Sequence, residues 1–180
     1  MICLNFSGRI TNGNGREICN VVKEQFKTNV YIFNIANFNM HPCNKCSYEC
    51  LQKLNCPYES DDAKKLYDTL LTADIILFII PIFGDYPCSN YFIFRERMQF
   101  YFNEANYERY EKIRKKFIVI GNTGYENVVS IIKNDYNISK ANDFLFLSSN
   151  DVNTKSVLGD LMNYPIMKEK VINFVSQIVQ

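Results

Sequence analysis

Ile75-Ile76-Leu77-Phe78-Ile79-Ile80-Pro81-Ile82-Phe83 is the longest apolar run in the chain. It is about half the ~20 residues a membrane-spanning helix needs, and it contains a proline, so it reads as a buried strand and not as an anchor. Continuous rather than alternating apolar residues are what a strand carries when helices cover both faces of its sheet. Working outward, the run predicts a strand over Asp74–Ile80, and shorter runs of the same character predict strands over Ile2–Phe6, Val30–Ile35, Phe117–Gly121 and Asp143–Ser148. Helical patterns fall between and after them, over Gly15–Phe26, Asp61–Thr72, Ser89–Lys112, Asn127–Asp135 and Met162–Ile178. Strands alternating with helices predict an α/β fold, a three-layer sandwich with a five-stranded parallel sheet.

Its 180 residues suit one domain with a substantial core, with no internal repeat, low-complexity tract or linker to divide it. Twenty Lys and Arg against nineteen Asp and Glu give no compositional support for a general nucleic-acid or membrane surface. Residues 108–116 look basic but carry interspersed acids, the mark of a solvated helix face. Met1-Ile2-Cys3-Leu4-Asn5-Phe6 enters an apolar run without a basic n-region, a long h-region or a cleavage site, the pattern expected of a cytoplasmic protein.

A parallel sheet of this kind places its ligand outside the carboxyl ends of the strands, where the strand order reverses. After the first strand comes Ser7-Gly8-Arg9-Ile10-Thr11-Asn12-Gly13-Asn14-Gly15-Arg16, with a helical pattern starting at once. Glycines, asparagines and hydroxyls there let backbone N–H groups converge at a helix N-terminus, a phosphate cradle. The stretch lacks the Gly-Lys-Ser/Thr ending of a nucleoside-triphosphate loop and the G-x-G-x-x-G spacing of dinucleotide enzymes, so a monophosphate fits better. The plainer alternative is a flexible Asn/Gly loop with Asn12 or Asn14 capping the helix.

Two further loops fall at the same edge: 81–89 after the third predicted strand, and Gly121-Asn122-Thr123-Gly124-Tyr125-Glu126 after the fourth. Aromatic and apolar residues with glycines supply the walls and backbone groups a planar aromatic ligand requires, although each loop alone is also an ordinary surface turn. Gly84 suits a peptide that approaches a ring closely.

Four of the seven cysteines cluster as Cys43, Cys46, Cys50 and Cys56, a C-x2-C-x3-C-x5-C spacing within an insert at 40–58. Clustered thiols without a secretory context suggest a metal or iron–sulfur site or redox chemistry. An iron–sulfur cluster, zinc, and free or disulfide-forming thiols all stand as readings, zinc being less natural because only one C-x2-4-C knuckle is present. Cys3 and Cys19 read as small core residues, Cys88 is ambiguous, and the single histidine, His41, reads as an exposed loop residue or a metal ligand. No Gly-x-Ser-x-Gly elbow supports a Ser-His-Asp hydrolase.

These stretches resemble the flavodoxin-like NAD(P)H-dependent FMN reductases, in particular their iron–sulfur flavoprotein branch. The residues that carry the likeness are the phosphate loop Ser7 to Gly15, the cysteines Cys43 to Cys56, the acidic pair Asp61-Asp62, Ala73-Asp74, the flavin loop Pro81-Ile82-Phe83 and the pair Glu96-Arg97. It covers most of the chain to about Tyr125. Two features depart from the pattern: Gly15 stands where the family has threonine, and the third cysteine is one residue late.

The resemblance implies bound FMN, with phosphate at Ser7, Arg9, Asn12, Gly13, Asn14 and Gly15, helped by Thr11. It implies the isoalloxazine ring along Pro81, Ile82, Phe83 and Gly84, its other edge closed by Asn122, Thr123, Gly124 and Tyr125. NAD(P)H would deliver hydride to the flavin, which needs no acid or base from the chain, and a small-molecule or redox-protein acceptor would take the electrons. A [4Fe–4S] cluster on the four cysteines would make the protein a one-electron carrier. A dimer or tetramer is also implied, with the aromatic stretches at Tyr91–Phe94 and 100–102 suited either to an interface or to the core. The alternative from another class is a degenerate flavodoxin-like domain that binds without catalysing. A receiver domain is disfavoured because Ser7-Gly8-Arg9 replaces the acidic cluster needed after the first strand.

Overall fold

A computed structural model describes residues 1–9, 12–26, 29–44, 46–52, 55–101, 104–136, 138 and 143–179. Thr11 and Phe102 lie outside the described residues. The strands are β1 (Ile2–Asn5), β2 (Tyr31–Asn34), β3 (Ile75–Phe83), β4 (Tyr86–Pro87), β5 (Arg114–Gly121) and β6 (Phe144–Ser148). The helices are α1 (Asn14–Gln25), α2 (Ala63–Leu70), α3 (Ser89–Tyr101), α4 (Glu104–Lys112), α5 (Tyr125–Tyr136) and α6 (Pro165–Val179). Five strands run parallel in the order β2-β1-β3-β5-β6, while β4 pairs antiparallel with the end of β3. This is the flavodoxin-like α/β fold expected from the sequence, with the order reversing between β1 and β3.

Period-two alternation divides the core. Cys3, Leu77, Ile79, Ile118, Ile120 and Leu147 face one way, onto Ile18 and Val22 of α1 and Val171 and Val175 of α6. Leu4, Phe78, Ile80, Phe117 and Val119 face the other way, onto Leu66 of α2, Phe94 of α3 and Ile132 of α5. Every layer is thus specified by the apolar runs themselves. Tyr91 and Phe94 of the aromatic stretch at the start of α3 pack into this second core, while Phe92 stays exposed. Among the described residues, no helix is long and apolar enough to cross a membrane.

Several details differ from the sequence expectation; β5 begins at Arg114 and buries Lys115, so residues 108–116 are not one solvated helix face. The strand over Asp74–Ile80 continues to Phe83, because Ile82 and Phe83 pair with Pro87 and Tyr86 in a hairpin. Alternation puts the missing N–H of Pro81 on the side of the Ile79 carbonyl, which accepts from Phe6 N at 3.0 Å; β1 has ended there, so no strand bond is lost. The helix expected over Ser89–Lys112 is two segments, α3 and α4, on either side of residues 102–103, which lie outside the described residues. Gly13, not Asn12 or Asn14, is the N-cap of α1, and it gives no side-chain cap.

Candidate functional site

A cleft of about 530 Å³ opens at the carboxyl ends of β1 and β3. It brings together nine of the predicted residues: Ser7, Arg9, Gly13, Asn14 and Gly15 from the first loop, and Pro81, Ile82, Phe83 and Gly84 from the hairpin. Gly8, Ile120, Ser156 and Val157 complete it. Asn12 is an exposed bend beside it.

The loop after β1 is built to leave donors open. The first helical bond of α1 runs from Glu17 N to Gly13 O at 3.1 Å, so the N–H groups of Asn14, Gly15 and Arg16 precede the intrahelical ladder and no side chain of the cap residue takes them. They stand at the positive end of the helix dipole. Ser7 Oγ accepts from Arg9 N at 3.3 Å, which leaves the hydroxyl proton to be donated. The loop is held from below by Asn5, buried at the end of β1, whose Oδ1 accepts from Ser7 N at 3.1 Å and whose Nδ2 donates to Asn34 Oδ1 at 2.8 Å. A Cβ at position 15 would meet Asn5 Oδ1 at 2.2 Å. Gly15 therefore stands where threonine is expected because Asn5 occupies the space.

On the other wall, Gly84 (φ 55°) and Asp85 (φ 66°) form a two-residue turn with both central residues left-handed, the geometry that matches strand twist in a tight hairpin. Thr123 Oγ1 donates to Asp85 Oδ1 at 3.0 Å and Asn127 Nδ2 to Asp85 O at 2.8 Å, fastening the turn to the loop after β5 and to the first turn of α5. Phe83, which lines the cleft, and its strand partner Tyr86 are left 65% and 56% exposed. Of the four residues predicted from the loop after β5, Thr123 and Gly124 contact Asp85, Tyr125 stacks on Phe146 at 4.7 Å, and Asn122 holds the segment after β6. They support the walls of the cleft rather than line it.

The residues that sequence reasoning missed lie after β6. Asn14 Nδ2 donates to Ser156 O at 2.8 Å, Asn14 Oδ1 accepts from Leu161 N at 2.9 Å, and Arg9 Nη1 donates to Val157 O at 3.0 Å. The only signal in the sequence is the glycine at 159, whose φ of 79° requires it.

The four clustered cysteines line a second cavity of about 290 Å³, walled on the α3 side by Glu96, Arg97 and Gln99. The Arg97 side chain is 0% exposed and pairs with Asp61, 3% exposed, at 3.1 Å. Its Nη1 donates to His41 O at 3.3 Å and its Nη2 to Tyr58 O at 3.1 Å, so one guanidinium closes both ends of the cysteine segment. Arg97 Nε is buried with no acceptor among the described residues. Glu96 Oε2 accepts from Cys43 N at 3.0 Å. Burial pushes the Cys43 thiol up, against the opposing pull of Arg97. None of the seven cysteines is in a disulfide, and among the described residues no three His, Cys, Asp or Glu side chains are grouped to hold a metal ion. Zinc, which needs its ligands around one ion, does not fit this arrangement.

The other cysteines are structural. Cys3 and Cys19 are in the core, and Cys88 is buried with its Sγ donating to Phe6 O at 3.3 Å. The His41 ring is exposed, stacked on Tyr58 at 5.0 Å.

The model of the NADPH-dependent FMN reductase family matches residues 1–123. No curated protein matches the chain. Among solved structures, the chain is similar to RosB with a bound 8-demethyl-8-formylriboflavin-5'-phosphate intermediate: TM-score 0.72, 10% identity, 97% of this chain and 75% of that one. It is similar to an FMN-dependent NADH-azoreductase from Bacillus anthracis in complex with FMN: TM-score 0.65, 11% identity, 99% of each chain. It is also similar to the Trp repressor binding protein from Bacillus subtilis: TM-score 0.63, 12% identity, 97% of this chain and 98% of that one. At these identities the likeness to the solved structures is one of fold.

Proposed function

The chain belongs to the NADPH-dependent FMN reductase family, and from that premise we propose that it binds FMN in the cleft between β1 and β3 and passes reducing equivalents from NAD(P)H to a small-molecule or redox-protein acceptor. It is a flavin-dependent NAD(P)H oxidoreductase by family. The single observation that carries the site assignment is the meeting of an uncapped helix N-terminus and an apolar aromatic hairpin in one cleft. An anion is held by the N–H groups of the first turn of α1, the Ser7 hydroxyl and Arg9. A planar ring is bounded by Pro81, Ile82 and Phe83, with Gly84 offering backbone groups beside it.

FMN, when bound, supplies hydride acceptance and release. The chain's part is to fix the phosphate end at the loop after β1 and to exclude water with the apolar hairpin. Hydride transfer to a flavin asks the chain for position and not for proton transfer. The fitting state is a homo-oligomer of single-domain chains, with the cysteine segment as an insert.

A second reading attaches to that insert. Four thiols line one cavity, the donor set of a [4Fe–4S] cluster, whose irons each take a separate thiolate. Iron and sulfide assays on anaerobically purified protein test it.

The main test is purification in the presence of FMN, gel filtration, and anaerobic addition of NADPH or NADH. Retained yellow colour that bleaches with nicotinamide and returns with an acceptor is expected. Protein that stays colourless after saturation with FMN overturns the proposal.

A further inference from the structure

We propose that the turn at residues 156–159 is a strap over the cofactor cleft, with the Ser156 hydroxyl as a further binding group and Asn14 and Asn122 as its positioning residues. This rests on the FMN reading. It concerns a part of the chain beyond residue 123, where the family match ends.

Both backbone groups of Ser156 are committed. Its N–H donates to Asn122 Oδ1 at 3.0 Å, and its carbonyl accepts from Asn14 Nδ2 at 2.8 Å. One bond ties it to the loop after β5 and the other to the first turn of α1, so the peptide is fixed relative to both. Its hydroxyl takes part in neither bond, and the residue lines the cleft. A serine held in this way is preorganised: little freedom remains to be lost when the hydroxyl meets a ligand.

Asn14 shows why the strap belongs to the cleft. It is buried, and both ends of its amide are used, as donor to Ser156 and as acceptor from Leu161 N at 2.9 Å. A carbonyl partner on one side and an N–H partner on the other fix which way the amide points. Its side chain therefore serves the strap, and only its backbone N–H is left for an anion.

Arg9 completes the closure. Its Nη1 donates to Val157 O at 3.0 Å, and a Cβ on Gly159 would lie 2.6 Å from Nη1 and 3.1 Å from Gly13 Cα. The strap thus crosses the loop after β1 so closely that a side chain at position 159 would press on Arg9 and on the Gly13 backbone. It keeps a cation at the rim of the cleft. A hydroxyl, an arginine and helix N–H groups around one end of a cleft select a phosphorylated polyol, the tail of FMN, and the strap opposes its release.

The test is a fluorescence titration of the full chain with FMN and with riboflavin, together with the FMN dissociation rate. Ser156→Ala keeps every backbone bond and is expected to weaken FMN about five- to tenfold, with Ser156→Thr restoring affinity. Asn14→Ala and Asn122→Ala are expected to speed FMN dissociation several-fold and to remove the protection from hydrogen exchange that FMN confers on the Ser156 amide. A Ser156→Ala defect confined to FMN places the hydroxyl at the phosphate, and one shared with riboflavin places it at the polyol. If the unmodified chain binds FMN and all three alanine variants match it in affinity and dissociation rate, the strap is overturned while the FMN reading stands. If the unmodified chain binds no FMN, both are overturned.

Discussion

Gly15 and Asn5 share one space: a Cβ on Gly15 would stand 2.2 Å from Asn5 Oδ1. That oxygen already accepts from Ser7 N, and the same amide donates to Asn34 at the end of β2. The loop after β1 is thus anchored by a buried side chain beneath it, and position 15 of α1 is kept free of a side chain above that anchor.

Gly15→Ala is expected to destabilise the fold by about 1–3 kcal/mol through overpacking and to weaken FMN, because the displaced Asn5 releases Ser7 N. Asn5→Ala removes the obstacle but leaves polar partners unpaired. The double variant should cost less than the sum of the two singles, by about 0.5–3 kcal/mol of coupling. Denaturant unfolding of the four proteins measures this, and strict additivity would show that the two residues do not share the space.

Gly84 adopts φ 55°, and a Cβ there would meet nothing within 4 Å, so backbone conformation alone accounts for the glycine. Gly84→Ala is expected to cost about 1–2 kcal/mol, the penalty of a left-handed conformation with a Cβ. Asp85→Gly relieves the same strain at φ 66° but loses the bond from Thr123, so its effect on thermal midpoint should be smaller than that of Gly84→Ala.

Asp61→Asn leaves the Arg97 guanidinium buried without its counter-charge. Breaking such a pair from one side costs about 3–5 kcal/mol. Since Arg97 also closes both ends of the cysteine segment, limited proteolysis should cut first within residues 43–56 in the variant. Cleavage elsewhere first, with the segment intact, would show that Arg97 does not tie it down.

Thiol reactivity divides the cysteines. Burial pushes Cys3 up to about 12 and Cys88 up to about 11 from 9.0. At pH 8 a thiol reagent should titrate Cys43, Cys46, Cys50 and Cys56 in the native chain, and all seven cysteines only after denaturation. Because the folded values are raised, the unfolded chain releases these protons first. The contribution of the buried thiols to stability is therefore full below about pH 9 and declines as pH rises toward 11–12. Cys88→Ala should lessen this alkaline decline, as read from the denaturant midpoint at pH 8 and pH 10.5.

The sheet, its layers and the site-bearing edge were legible in the chain because they follow from local pattern. Nearly continuous apolar runs such as Ile75 to Ile80 can be satisfied only between two helical layers, and a glycine-rich turn after the first strand has to fall at a strand's carboxyl end. Nine predicted residues meet in the cleft for that reason. What the sequence did not reveal is which side chains face one another across long separations. The fit of Gly15 over Asn5, the strap from Ser156 to Gly159 fastened by Asn14 and Asn122, and the closure of the cysteine segment by Arg97 and Asp61 were decided by tertiary structure alone. Each joins residues from different elements, where an asparagine or arginine looks the same in sequence whether it meets solvent, a ligand or another loop, and only packing chooses its partner.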